Sequence, residues 1–171
     1  MKTFLLRLSF IFFSVSPMIV AGPRDAQWRQ VDEAERQGLP KTAIERLEPI
    51  LTAALADRSH AEALKAIGRK IALESKIQGN KAEEKIARLQ AELEHAPAPM
   101  KPMMEALLAH WYWQFFQQNR GRFRQRTQTA TAPGADVTAW DLPQILAEID
   151  RHFTAALADA ARVVDGLCAL T

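Results

Sequence analysis

The sequence predicts an all-α protein: helical hairpins in a short solenoid-like (TPR-like) array that follows a signal peptide. Three observations carry this expectation. Apolar residues recur at three- and four-residue spacing along most of the chain, and no alternating run long enough for a strand persists. In addition, Ile44-Glu-Arg-Leu47 recurs as Ile86-Ala-Arg-Leu89, and Glu62-Ala-Leu-Lys-Ala66 recurs at nearly the same offset as Glu105-Ala-Leu-Leu-Ala109. Repeated helix pairs of this size stack so that each covers the apolar face of the next.

The N-terminus stands apart from that pattern. Lys2 and Arg7 lead into the apolar run Leu8 to Val15, which closes at Ser16, Pro17 and the small pair Ala21-Gly22. This is the arrangement of a secretory signal peptide over residues 1–22. A membrane-spanning helix needs roughly 20 apolar residues, and Ser9, Ser14, Ser16 and Pro17 interrupt the run too early, so no stable membrane insertion is expected after leader cleavage. The product is expected in the periplasm, in the cell envelope or secreted. Lys2 and Arg7 leave with the leader and no acidic residue does, so the 22 basic residues of the full chain fall to parity with its 20 acidic ones. A nucleic-acid partner therefore loses its electrostatic basis.

The helical domain is expected over 23–159. Asp25 reads as the cap of a first helix that carries Trp28, Val31 and Ala34 on one face, with Gly38 ending it. Leu39-Pro40 opens a second helix in which Ala43, Ile44, Leu47, Ile50, Leu51, Ala54 and Leu55 keep the helical period, and Pro49 inside it predicts a kink. A third helix starts near Ser59, carries Ala63, Leu64, Ile67 and Ile71, and turns at Gly79-Asn80. The fourth begins at Lys81, places Ile86, Leu89 and Leu93 together, and stops at Pro97-Ala98-Pro99.

Pro102 suits the first turn of a fifth helix. Met104, Leu108, Trp111 and Phe115 form its stripe, and Leu107, Ala109, Tyr112 and Phe116 widen it until most sides are apolar, as in a helix covered by its neighbours. Gly121 is its expected terminator. An exposed loop at about 125–138, rich in Thr, Ala, Pro and Gly, follows. Asp141 with Gln144 then forms a capping box, Pro143 sits in the first turn, and the last helix carries Ile145, Leu146, Ile149, Phe153, Ala156 and Leu157. Residues 160–171 read as a C-terminal tail that extends this helix or frays. Cys168, the only cysteine, allows no intramolecular disulfide, and its place near the chain end points to a truncated product or a fragment awaiting continuation.

No chemistry-bearing motif emerges. His60, His95, His110 and His152 are scattered and read as solvated or interface residues, not as metal ligands; no phosphate loop or nucleophile elbow occurs, so neither a cofactor nor an enzymatic activity is expected. The densest feature is Trp111 to Thr127. Five of the eight residues from Trp111 to Gln118 are aromatic, and Arg120, Arg122, Arg124 and Arg126 follow at alternate positions, on one side if the segment is extended. Core packing explains most of the aromatics; Trp113 lies off the stripe. Trp113, Arg122 and Arg124 are thus the candidate contacts for a protein partner.

Three groups of residues carry a family resemblance: Trp28 to Val31 leading to Gly38-Leu39-Pro40-Lys41-Thr42-Ala43; Tyr112-Trp113 through Gln117-Gln118-Asn119-Arg120 to Arg126-Thr127; and Thr138-Ala139-Trp140-Asp141-Leu142. Together they resemble the N-terminal helical region of large bacterial alpha-2-macroglobulin family proteins, over about Trp28 to Leu157. The resemblance implies an exported, multidomain protease inhibitor in which this region is structural and contacts downstream macroglobulin-like domains or a protein partner. The β-sandwich domains, the bait segment and the Cys-Gly-Glu-Gln thioester motif of that family are not in this sequence, and Cys168, in Leu-Cys-Ala-Leu, cannot replace the thioester cysteine. No inhibitory residue carries over, and Trp28, Gly38, Pro40, Tyr112, Asn119, Arg120, Arg126, Thr127, Trp140 and Asp141 are expected to be scaffold. The alternative is a stand-alone periplasmic helical-repeat adaptor that binds protein between its helix pairs.

Overall fold

A computed structural model describes residues 24–126, 134 and 136–168, with the side chains of 159–168 left aside. Among these residues the chain is all-α: α1 (Asp25–Arg36), α2 (Pro40–Ala56), α3 (His60–Ile77), α4 (Ala82–His95), α5 (Lys101–Gln118), a short α6 (Arg120–Gln125) and α7 (Leu142–Cys168). Each of the first five packs on the next in the chain, and α5 makes its most extensive contact with α7. None is long and apolar enough to cross a membrane.

Local signals explain the hairpins. After α1, Leu39 N–H bonds the Ala34 carbonyl at 2.9 Å and Gly38 N–H bonds that of Glu35 at 3.0 Å, with Gly38 at φ 71°. This double closure needs a left-handed residue just past the helix, which glycine adopts without a Cβ clash. The same closure ends α2, where Ser59 N–H bonds the Ala54 carbonyl at 2.8 Å, but there Arg58 takes the left-handed position at φ 56°. Pro40 stands at the start of α2, which runs continuously through Pro49.

Burial divides into two clusters that meet at α3. Trp28, Val31, Ala34, Ala43, Leu47 and Ile50 pack with Ala66 and Leu73 of α3. Ala63, Ile67 and Ile71, on the other side of α3, pack with α4, α5 and α7. The repeat is matched unevenly: Leu47 and Leu89 are both buried, whereas Ala63 is buried and its counterpart Ala106 is exposed.

Several expectations need correction. Asp25 is the first residue of α1 and not its cap; Arg24 holds that position without a side-chain cap bond, since a guanidinium has no acceptor to offer a helix N–H, and it pairs instead with Glu62 and Asp57. Gly121 does not end α5. That helix stops at Gln118, where Asn119 N–H reaches the Phe115 and Phe116 carbonyls at 3.1 Å and Asn119 Nδ2 donates to the Phe115 carbonyl at 2.8 Å. The chain then re-enters a helix, α6, because Phe123 is buried against the rings of Phe115 and Phe116 at 6.1 and 5.8 Å. The far end of the expected loop is also structured: Asp136 Oδ1 accepts from Thr138 N–H at 2.8 Å, Val137 is buried, and the Gly134 carbonyl accepts from Trp140 Nε1 at 2.7 Å. Finally, Leu146, Phe153 and Leu157 of α7 are exposed, because the buried arc of that helix is filled by Ile145, Ile149 and His152.

Candidate functional site

The corner where α5 passes into α6 gathers most of the residues singled out in the sequence. Its base is a set of buried rings. Tyr112 stacks on Trp140 at 5.7 Å and on His152 at 5.3 Å, and its hydroxyl accepts from Gln90 Nε2 at 3.0 Å. Burial pushes the Tyr112 hydroxyl well above its ordinary pKa. Asp141 and Gln144 close the capping box in both directions: Gln144 N–H donates to Asp141 Oδ1 at 3.0 Å and Asp141 N–H donates to Gln144 Oε1 at 2.9 Å. Arg126 Nη1 donates to the Trp140 carbonyl at 3.0 Å, so the end of α6 is fastened to the residue preceding this box.

At the surface of the corner the arginines do not form one row. Residues 120–125 are helical, and two positions along a helix turn by about 200°, so alternate arginines point to opposite flanks of α6. Arg120 and Arg124, a turn apart, are exposed. Arg122 lies on the other flank, its guanidinium over the rings of Phe115 and Phe123 at 5.4 and 5.3 Å. It is partly covered, and its Nε and Nη2 are buried with no hydrogen-bond partner among the described residues. Arg122 therefore packs at this corner, on a different flank of α6 from Arg120 and Arg124. The physical reason is the helical backbone of this segment.

Trp113 is 43% exposed. Its ring meets Phe116 at 5.5 Å, Phe116 meets Phe123 at 5.8 Å, and so a continuous aromatic path joins the exposed indole to α6. The remaining motif residues are dispersed. Trp28 is buried and donates from Nε1 to Glu62 Oε1 at 2.8 Å, and Gly38 and Pro40 form the α1–α2 turn. Thr127 lies outside the described residues.

Two polar sites escaped the sequence reading. Arg24, only 8% exposed, donates from Nε to Glu62 Oε2 at 2.9 Å and from Nη1 to Asp57 Oδ2 at 2.6 Å; its bond to Glu62, with that from Trp28, holds the Glu62 carboxyl below its ordinary pKa. Nothing local could reveal a contact across 38 positions. His152 is 1% exposed, hydrogen-bonded through Nδ1 to Glu105 and 3.3 Å from Glu148 through Nε2, so the reading of all four histidines as solvated or interface residues fails here. The i,i+4 spacing of Glu148 and His152 was the available signal.

Open depressions mark the surface elsewhere, including one of about 310 Å³ at Gly38, Leu39, Pro40, Lys41, Thr42 and Ile77. Among the described residues no group of three or more His, Cys, Asp or Glu side chains is placed to hold a metal ion. No protein-family model, curated protein or solved structure matches the chain.

Proposed function

We propose that this chain is an exported helical scaffold that acts through contact with protein, and that it forms the leading segment of an alpha-2-macroglobulin-like protein, structural and not itself inhibitory. The observation that carries the structural half of this reading is the knot at the α5–α7 corner. Asn119, Arg126, Trp140 and Asp141, which belong to the motif that resembles that family, spend their hydrogen-bonding groups on helix ends and caps. Such residues set the path of the backbone. The leader-like N-terminus supports export, and the motif resemblance alone supports the family. Reading the genomic sequence downstream of the Thr171 codon tests the family half: macroglobulin-like sequence is expected there, and its absence in every frame overturns it.

The exposed Trp113, continuous through Phe116 with α6, favours a second reading, a stand-alone periplasmic adaptor. In that case a protein retained from an envelope extract should be lost on Trp113→Ala. Retention of the same protein by the variant argues against the adaptor.

A further inference from the structure

We infer that His152 is a proton-operated switch at the α5–α7 seam: the neutral ring accepts a hydrogen bond from Arg151, and the protonated ring exchanges that partner for Glu148. The switch depends neither on the family reading nor on a protein partner.

The two ring nitrogens have different surroundings. Nδ1 is hydrogen-bonded to Glu105 on α5, and an ionised carboxylate only accepts, so Nδ1 carries a proton in both states. Nε2 stands between groups of opposite kind, Arg151 Nη2 at 3.0 Å and Glu148 Oε1 at 3.3 Å. A guanidinium only donates, so its contact with Nε2 requires a bare nitrogen and describes the neutral ring. A proton on Nε2 sets two donors of like charge against each other, and Glu148 Oε1 is the acceptor within reach. Arg151 Nη2, 2.6 Å from that oxygen in the neutral arrangement, then yields it to the ring, while Arg151 Nε keeps Glu148 Oε2 at 2.9 Å. The proton comes from solvent, and only hydrogen bonds are exchanged.

The charged and titratable groups facing the ring are few. Glu105 and Tyr112 face it from α5, and Glu148 and Arg151 from its own helix. Trp140, beyond Tyr112, carries no charge, Asp141 is engaged by Gln144, and Asp150 is exposed. Tyr112 stays neutral because burial pushes its hydroxyl well above the ordinary value, and Glu148 stays ionised because Arg151 holds its carboxyl below the usual range. Glu105, Glu148 and Arg151 together leave one net negative charge around a neutral ring and none around a protonated one. His152 is almost wholly buried, where such a balance counts for more than it does in water. The neutral ring, for its part, has both nitrogens hydrogen-bonded. Each state is thus satisfied, which is what a two-state element requires. The readout lies at the surface, since Arg151 is exposed and its guanidinium is freed from the ring when the proton arrives.

Nitrogen NMR of the full chain, from about pH 8 to 5, follows both partners. Nε2 is expected to be bare at the upper end and protonated at the lower, with Nδ1 protonated throughout. The Arg151 Nη signals, kept apart by slowed rotation while Nη2 is bound, should merge with the same midpoint. Arg151→Met should raise that midpoint and Glu148→Gln lower it, by about one unit each; residues that act by packing alone would move neither.

The switch is overturned if Nε2 stays bare until the helices unfold, or is protonated across the whole range. It is equally overturned if the Arg151 signals ignore the titration of the ring, or if both variants titrate with the parent chain. Should Glu148→Gln lose helicity, Arg151→Met, altered at an exposed position, decides alone.

Discussion

The helices α1–α3 and α5–α7 are joined by different chemistry. In the first group, arginines and lysines cross between helices to carboxylates: Arg24 to Asp57 at 2.6 Å, Arg69 to Asp32 and Glu35 at 2.7 and 2.6 Å, and Lys70 to Glu48 at 2.6 Å. In the second, flat rings meet, with Tyr112 between Trp140 and His152 and Phe123 against Phe115 and Phe116. The first group thus has several ion pairs between helices, while the second has His152 on α7 with Glu105 on α5, and Arg120 and Arg124 on α6 are exposed. The contrast teaches that an arginine-rich segment finds ion-pair partners only where the fold brings acids beside it. Its residue count says nothing of this.

The strongest way to break the contrast is to remove an aromatic from the second group. Phe115→Ala should lower stability by about 3–5 kcal/mol, measured from urea unfolding; an unchanged midpoint would mean that ring packing does not hold α5–α7 together. Next in size, Arg24→Ala should lower the melting temperature, because it removes the bonds that tie the start of α1 to Asp57 and Glu62.

Acid should weaken the ion-paired group. The Glu62 carboxyl is held low by Arg24 and Trp28, so its contribution is complete above the ordinary value of about 4.3 and is lost as pH falls through the lower folded value. Melting curves between about pH 2 and 6 should show a shallower acid decline for Glu62→Gln than for the parent chain. An identical slope would detach Glu62 from acid stability. A smaller effect, about 1 kcal/mol, is expected for Tyr112→Phe, which leaves the Gln90 amide without its partner at 3.0 Å. Smallest is Arg124→Ala, within about 0.5 kcal/mol; a loss as large as that from Arg24→Ala would show that α6 is held by its exposed charges and erase the distinction drawn here.

Much of the helical layout was legible because its signals act over a few residues. The apolar period placed α1 to α5 and the start of α7, Gly38 marked its turn through a left-handed φ, and Asp141 with Gln144 announced the capping box that forms. Trp111 and Phe115 are buried and Trp113 is exposed, as their positions around α5 require. The same local logic misled at Gly121: a glycine reads as a stop, but nothing nearby reveals that Asn119 ends α5 and that Phe123 gains a buried place by continuing in a helix.

Helix type and period, and the capping box at Asp141 and Gln144, are written in the sequence because each rests on bonds and contacts between neighbours in the chain. Partnership is decided by tertiary structure. It buried His152 between two carboxylates, joined Arg24 to Glu62 across 38 positions, left Leu146, Phe153 and Leu157 uncovered on α7, and separated Arg122 from Arg120 and Arg124. Which charge finds its opposite, and which apolar face finds a cover, depends on the elements brought alongside it, and no spacing within one helix encodes that.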